Sequence, residues 1–326
     1  MKNIKICVVG GGNWGFNHIK TLKSLGVSVS CVDTNPEQLK KIKLNFEKIE
    51  CYLKIEDSFK EEFNGYVIAT PAATHAKLAK KVISHNKPVL VEKPLSLSLS
   101  ESEKIKSLLV KYDGLLVVGH SLLFHPAIQK IKKMIDNGKI GDIQYIYSNR
   151  LNLGIVRKNE NVFWSFAPHD ISIFQYLSRS FPSSVISLGS DILQKNIHDT
   201  TITYLKYPNG IQGHIFVSWL HPFKEHRLVV VGSKGSVHFD DSSKDKKLLF
   251  YEKVSSADQL DLKNKISKNV KFDETLPLEN ELKYFIQVTQ GKKIKKSNID
   301  QGIDVIKILE MATKSLHENS KVSING

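Results

Sequence analysis

The first 120 residues alternate short apolar runs with helix-like stretches, and few folds satisfy that pattern. Ile4–Val9, Val27–Val32, Tyr66–Ala69, Val89–Val91 and Leu115–Val118 read as strands. Between them, Trp14–Leu25, Pro36–Phe46, Ala72–His85 and Leu99–Tyr112 read as helices. Several strand runs are continuously apolar, as expected of strands covered on both faces. The alternation predicts a parallel, doubly wound sheet.

After Gly119-His120 the texture changes. His125-Pro126 opens an amphipathic helix that Asp136-Asn137-Gly138 closes, and a long strand runs from Ile143 to Leu153. Pro168 is expected to start a helix that carries His169, Ile171, Ile173, Phe174 and Leu177. Strands then dominate, at Val185–Leu193, Thr200–Tyr207, Ile211–Trp219, Arg227–Val231 and Val237–Phe239. Turns at Pro208-Asn209-Gly210 and Ser233-Lys234-Gly235 join them, which argues for a large, mostly antiparallel sheet. Leu278–Gln290 and Asp300–Leu316 read as closing helices, and the lysine- and serine-rich residues 253–275 as a mobile excursion. The expectation is an α/β chain of two domains, a Rossmann domain over 1–120 and an α+β domain over 121–326.

Gly10-Gly11-Gly12-Asn13-Trp14-Gly15 stands at the first strand-to-helix turn and fits G-x-G-x-x-G at Gly10, Gly12 and Gly15. The tight turn, the close approach of backbone to a pyrophosphate and the packing of helix on sheet each need a missing side chain. The helix N-terminus behind them presents unpaired N–H groups to phosphate. Asp33 closes the second strand, where an acid binds the adenosine ribose hydroxyls and would repel a 2′-phosphate. This pattern predicts NAD binding in preference to NADP.

Composition bears on the partners. The net charge is +14, but the arginines are only Arg150, Arg157, Arg179 and Arg227, and the lysines are spread along the chain. Nucleic-acid binders concentrate positive charge and use Arg for bidentate contacts, so a nucleic-acid partner is not expected. A positive field could still attract a phosphorylated substrate. No apolar run reaches the ~20 residues of a membrane span, and the first residues read as a strand, not a signal peptide. Cys7, Cys31 and Cys51 lack metal spacing and sit in or beside apolar runs, as reduced core thiols of a cytoplasmic protein would. No metal site is expected.

Val89-Leu90-Val91 ends on Glu92-Lys93-Pro94, which places a lysine at the carboxyl end of a buried strand, where open α/β sheets bind ligands. Thr70-Pro71 ends the preceding strand and His75 follows in the next helix. With Gly10–Gly15, Ala69-Thr70-Pro71-Ala72-Ala73-Thr74-His75 and Glu92-Lys93-Pro94 in this order, the chain resembles the Gfo/Idh/MocA oxidoreductases over essentially its whole length. The resemblance implies that Gly10, Gly12, Asn13, Trp14, Gly15, Asp33, Thr70, Pro71, His75 and Glu92 bind or line NAD. It implies that Lys93 and His169 form the acid/base pair at the hydroxyl being oxidised. Imidazole suits that task because its ordinary pKa lies near neutrality. Two positions depart from the family's usual pattern. Ser165 stands four residues before His169, where many relatives carry Asp, so the site must run on Lys93 and His169 or borrow Asp170. Leu123 stands where many relatives carry Arg.

Arg150, Asn152, Arg157 and Trp164 precede His169 and are the expected substrate contacts, since the planar guanidinium matches phosphate bidentately. The segment Trp164-Ser165-Phe166-Ala167-Pro168-His169-Asp170 resembles the subgroup that oxidises nucleotide-linked sugars, the UDP-N-acetylglucosamine 3-dehydrogenases. That resemblance implies a 3-keto sugar product feeding surface-polysaccharide or lipid A biosynthesis. Alternatives are a ketosugar reductase, an inositol or free-sugar dehydrogenase, or a non-catalytic NAD-sensing regulator. The family's use of the broad sheet face for association implies a homodimer or homotetramer.

Overall fold

The computed structural model describes residues 4–243, 248–254 and 263–323. They form two compact units, one of residues 1–124 with 275–306 and the other of 125–274 with 307–326. The division is thus not a single cut near residue 120, because the chain returns to the first unit late.

The first unit runs β1 (Lys5–Val9), α1 (Asn13–Ser24), β2 (Ser28–Val32), α2 (Pro36–Asn45), β3 (Glu50–Tyr52), α3 (Ile55–Ser58), β4 (Gly65–Ile68), α4 (Ala72–Ser84), β5 (Val89–Glu92), α5 (Leu99–Tyr112) and β6 (Leu116–Gly119). A 3-10 turn, Ser121–Phe124, follows. The strands pair in parallel in the order β3-β2-β1-β4-β5-β6. That order reverses between β1 and β4, which opens a crevice at the carboxyl ends of the strands. All positions of β4, β5 and β6 are buried, so the sheet is covered on both faces. Asn35 caps α2, with its side chain accepting from Glu37 N, and Pro36 supplies the preset φ of the first helical turn. Ser98 caps α5 in the same manner through Glu101 N. The outer edge of β6 is closed by Ser297, whose Oγ donates to Val118 O while Val118 N donates to Ser297 O. Cys7, Cys31 and Cys51 are free thiols, and burial pushes the Cys7 and Cys31 thiols far up, which makes them inert.

The second unit runs α6 (Pro126–Asp136), β7 (Ile143–Leu153), α7 (Val162–Ser178), β8 (Ser184–Ser190), β9 (Thr200–Lys206), β10 (Gln212–Ser218), β11 (Leu220–Gly232), β12 (Gly235–Asp240), β13 (Leu248–Val254) and β14 (Lys263–Asn269). Then α8 (Pro277–Thr289) and the first residues of α9 (Ile299–Glu318) belong to the first unit, and the rest of α9 and β15 (Val322–Ser323) to the second. The sheet order is β14-β13-β12-β11-β7-β10-β9-β8-β15, antiparallel throughout except for β7 beside β10. Helix α7 packs on β7, β9 and β10. Gly213 makes room for it, since a Cβ there would meet Phe174 at 2.9 Å.

Three expectations change. β8 stops at Ser190 and does not continue to Leu193, because Asp199 Oδ2 draws in the N–H groups of Ile192 and Leu193 at 2.7 Å each. β11 begins at Leu220 and tolerates Pro222 because its register with β7 shifts between Leu220 and Glu225. The expected excursion at 253–275 falls partly on β13 and β14, which pair antiparallel, while 255–262 lie outside the described residues. Among the described residues, no helix is long and apolar enough to cross a membrane.

Candidate active site

The glycine turn is shaped by close contact. Gly10 has φ +103°, a left-handed value, and its N–H donates to Val32 O at 2.7 Å. A Cβ on Gly15 would stand 1.8 Å from Gly10 O, so α1 can begin here only with glycine at that position. At Gly12 a Cβ would meet nothing within 4 Å, so the open approach is on that side. Gly12 is also the N-cap of α1 and supplies no side-chain acceptor, and no acid lies in the first turn. Uncapped N–H groups with a positive dipole end and no acid in the first helical turn fit a pyrophosphate.

Asp33 closes β2. Its Oδ2 accepts from Gly11 N at 2.7 Å and its Oδ1 from Asn35 N at 2.8 Å. These two bonds lock the carboxylate to the glycine turn, where it can meet ribose hydroxyls. The residues fit NAD: an anion-binding helix end and a fixed acid stand at one strand switch.

The segment after β5 is built on a buried carboxylate. Glu92 Oε1 accepts from Trp14 Nε1 and lies 2.7 Å from His18 Nε2. Trp14 and His18 are one turn apart on α1, so both reach the same oxygen, and their rings meet edge to face at 5.9 Å. Burial would raise the Glu92 carboxyl. The His18 bond and charge, the Trp14 N–H and the Lys93 ammonium outweigh it and hold the group below the usual carboxylate range. Lys93 follows, half-buried, at the strand end. Trp14 is 43% exposed despite its bond, which leaves the indole face open beside the glycine turn.

His75 is buried and ties two turns together. Its Nδ1 lies 2.8 Å from Pro94 O and its Nε2 2.8 Å from Thr70 O. It thus holds the Thr70-Pro71 turn against the residues that follow Lys93. Thr74 Oγ1 donates to Thr70 Oγ1 at 2.7 Å and stiffens the same turn. His120, wholly buried, is held neutral, its pKa lowered to about 4 by burial, with Glu92 opposing and Lys93 assisting.

In the second unit, α7 starts at Val162 and not at Pro168, so His169 is inside the helix, half-buried. The Asn161 side chain accepts from Trp164 N at 3.0 Å and sets the start. Pro168 has no N–H and interrupts the helix ladder one residue before His169. Arg150 holds Asp170 in two bonds, Nε to Oδ2 at 2.7 Å and Nη2 to Oδ1 at 3.1 Å, with both groups largely buried. Asp170 is therefore committed to Arg150, and the guanidinium expected at substrate is engaged within the unit. Across the sheet His226 is in register with Arg150, and its pKa is lowered to about 4 by burial, then by Arg150 and Lys224. Trp164 Nε1 donates to Thr313 Oγ1 at 2.8 Å. Arg157 is largely exposed, 3.9 Å from Glu160, and Asn152 is half-buried on β7. Leu123 is a core residue.

Sequence reading missed His18, His120 and the Arg150–Asp170 pair. His18 alone had a local signal, being four residues after Trp14 on one helix face.

The family description "Oxidoreductase family, NAD-binding Rossmann fold" matches residues 4–120, and "Oxidoreductase family, C-terminal alpha/beta domain" matches residues 132–324. The scyllo-inositol 2-dehydrogenase (NAD(+)) of Bacillus subtilis is 29% identical over 254 residues, 72% of this chain and 73% of that one. The myo-inositol 2-dehydrogenase of Thermotoga maritima is 25% identical, over 73% of this chain and 75% of that one. A UDP-N-acetylglucosamine 3-dehydrogenase structure from Acidithiobacillus ferrooxidans shares the fold at TM-score 0.86 and 17% identity, covering 98% of this chain and 99% of that one. With an NAD-binding Rossmann fold and the partner α/β domain both matched, the chain belongs to the Gfo/Idh/MocA oxidoreductase family.

Proposed function

We propose that this oxidoreductase is an NAD-dependent dehydrogenase of a secondary hydroxyl on a sugar or polyol, with Lys93 and His169 as its acid/base pair. The observation that carries the reading is the uncapped α1 N-terminus joined to Asp33, with Glu92-Lys93 at the end of β5, two strands from β1 in the same sheet. NAD supplies the hydride acceptor when bound. The chain does the rest. Gly10–Gly15 and Asp33 hold the dinucleotide, and His75 and Thr70 fix the turn beside Lys93. Lys93 Nζ and the His169 imidazole are the groups assigned to receive the hydroxyl proton, on the strength of the family resemblance. Ser165 cannot act as a carboxylate partner, and Asp170 is bound to Arg150, so no carboxylate completes the pair from α7.

For the substrate we favour C3 of UDP-N-acetylglucosamine. The support is the resemblance of the segment around His169, together with the exposed Arg157 and the cationic field of a +14 chain. A second reading, a cyclic polyol, is favoured by the two inositol dehydrogenases among the relatives. Mixing protein and NAD with UDP-N-acetylglucosamine, scyllo-inositol and myo-inositol in turn, and following nicotinamide absorbance, separates them. Turnover with an inositol and none with the nucleotide sugar overturns the first choice. Lys93→Ala should cost at least ~10²-fold in kcat; an unchanged rate removes Lys93 from the reaction.

Association through the second sheet belongs to the same proposal. Leu188, Ile202 and Phe216 stand in register across β8, β9 and β10, with Leu188 59% and Ile202 53% exposed. A row of exposed apolar residues on a sheet face suits a second copy of the chain. Light scattering that returns the mass of one chain rejects this. A cytoplasmic location is likewise proposed, from the three free thiols, two of them buried.

A further inference from the structure

Helix α7 is weakened at one point and pinned beside it. Pro168, inside the helix, has no N–H to give to Trp164 O, and its ring crowds that carbonyl. His169 follows directly, so the imidazole stands on the turn where the ladder is weakest. The two halves of the helix are anchored to different elements. Ahead of Pro168, Asn161 caps the helix, and Trp164 Nε1 donates to Thr313 Oγ1 on α9 at 2.8 Å. Thr313 Oγ1 donates in turn to Leu309 O at 2.8 Å. After Pro168, Asp170 is held from β7 by Arg150, Nε to Oδ2 at 2.7 Å and Nη2 to Oδ1 at 3.1 Å. The Asp170 side chain is 3% exposed and that of Arg150 13%. Ser172 Oγ donates to His169 O at 2.7 Å, a further tie on the same turn.

Buried ion pairs are weak sources of stability compared with apolar side chains of similar volume. What the Arg150 fork supplies is geometry. Two parallel bonds between planar groups fix direction as well as distance, which a lysine point charge does not. Each oxygen of Asp170 accepts one of these bonds, and Ser165, one turn before His169, has no carboxylate to orient the ring. We propose that Arg150 and Asp170 are positioning residues for His169: their bidentate pair pins the turn that Pro168 loosens and thereby sets where the imidazole stands. Arg150 then serves the reaction without any contact to substrate. The inference rests on the reading of His169 as one member of the acid/base pair.

The test sets Arg150→Lys, which keeps the charge and loses the fork, against Val185→Ala, a cavity in β8 three strands from β7. The whole chain is used, with NAD and the panel of UDP-N-acetylglucosamine and the two inositols. Arg150→Lys should lower kcat by roughly tenfold to 10²-fold and leave KM within about threefold, since a misplaced group costs rate and not ground-state binding. Val185→Ala should lower Tm and leave kcat unchanged. An equal fall of kcat in both variants, or none in Arg150→Lys, overturns the positioning role. A rise in KM alone also overturns it, because that marks Arg150 as a substrate contact. Amide exchange read by mass spectrometry, without NAD or substrate, gives the second arm. Arg150→Lys should speed exchange over residues 169–174 and leave β9 as in the wild type; unchanged exchange there overturns the clamp. If Arg150→Lys does not fold, Arg150→Gln with Asp170→Asn, an uncharged pair without the fork, carries the same expectations. A wild type that turns over nothing in the panel takes down the Lys93 and His169 reading and the clamp's purpose with it. Normal wild-type turnover with unaltered Arg150→Lys kinetics takes down the clamp alone.

Discussion

The two sheets of this chain differ in how many faces they hide. In the first, β4, β5 and β6 are buried at all positions, because parallel strands carry helices on both sides. In the second, β9 and β12 alternate buried with less buried residues, as strands with one open face do. The doubly covered sheet has its charged groups at the strand ends, where Asp33 and Glu92-Lys93 sit beside Thr70. In the one-sided sheet a charged side chain can enter the covered face if a partner waits on α7, and Arg150 with Asp170 is that case.

The sharpest way to break this contrast is Gly15→Ala. Its Cβ would collide with Gly10 O, so NAD binding should be lost, with about 3 kcal/mol or more of stability. Quenching of intrinsic fluorescence by NAD and a thermal melt check it, and retained binding would show that the turn yields. Next in size, Arg150→Ala strands the buried Asp170 carboxylate and should cost about 3–5 kcal/mol. Urea unfolding measures this, and Arg150→Ala with Asp170→Asn should recover part of the loss. A third prediction concerns acid. His120 is neutral when folded, with a pKa lowered to about 4, against about 6.5 in the unfolded chain. The folded value is depressed, so its contribution is fully present above pH 6.5 and is lost as pH falls toward 4. The loss is roughly 3 kcal/mol, and His120→Gln should flatten that part of the stability-against-pH curve. The smallest expected effect separates the sheets most cleanly. Ile202→Lys on the open face should change the stability of a single chain by less than about 0.5 kcal/mol while abolishing the association proposed for that face. By contrast, Ile68→Ala in β4 should cost about 2–5 kcal/mol at any protein concentration.

Much of the first unit was legible from residue order. Apolar runs, capping residues and the glycine turn act over a few positions, and β1, α1, β2 and β5 form where those signals stand. The start of α7 was less so, because proline more often opens a helix than sits inside one, and the Asn161 cap was the better signal. The end of β8 depended on Asp199, a residue outside the strand. His75, expected along the cofactor, holds two backbone carbonyls together, one of them Pro94 O from another loop.

What the order of residues determined by itself is the architecture and the cofactor end. Both rest on periodicity and on turns whose backbone only certain residues accept, and those are properties of neighbouring positions. What tertiary structure decided is which charges are spent on one another. Glu92 meets His18 and Trp14 from far earlier in the chain, and Arg150 is taken by Asp170. A buried charge depends on whatever the fold brings beside it, because desolvation makes its state a matter of contact in space and not of position in sequence.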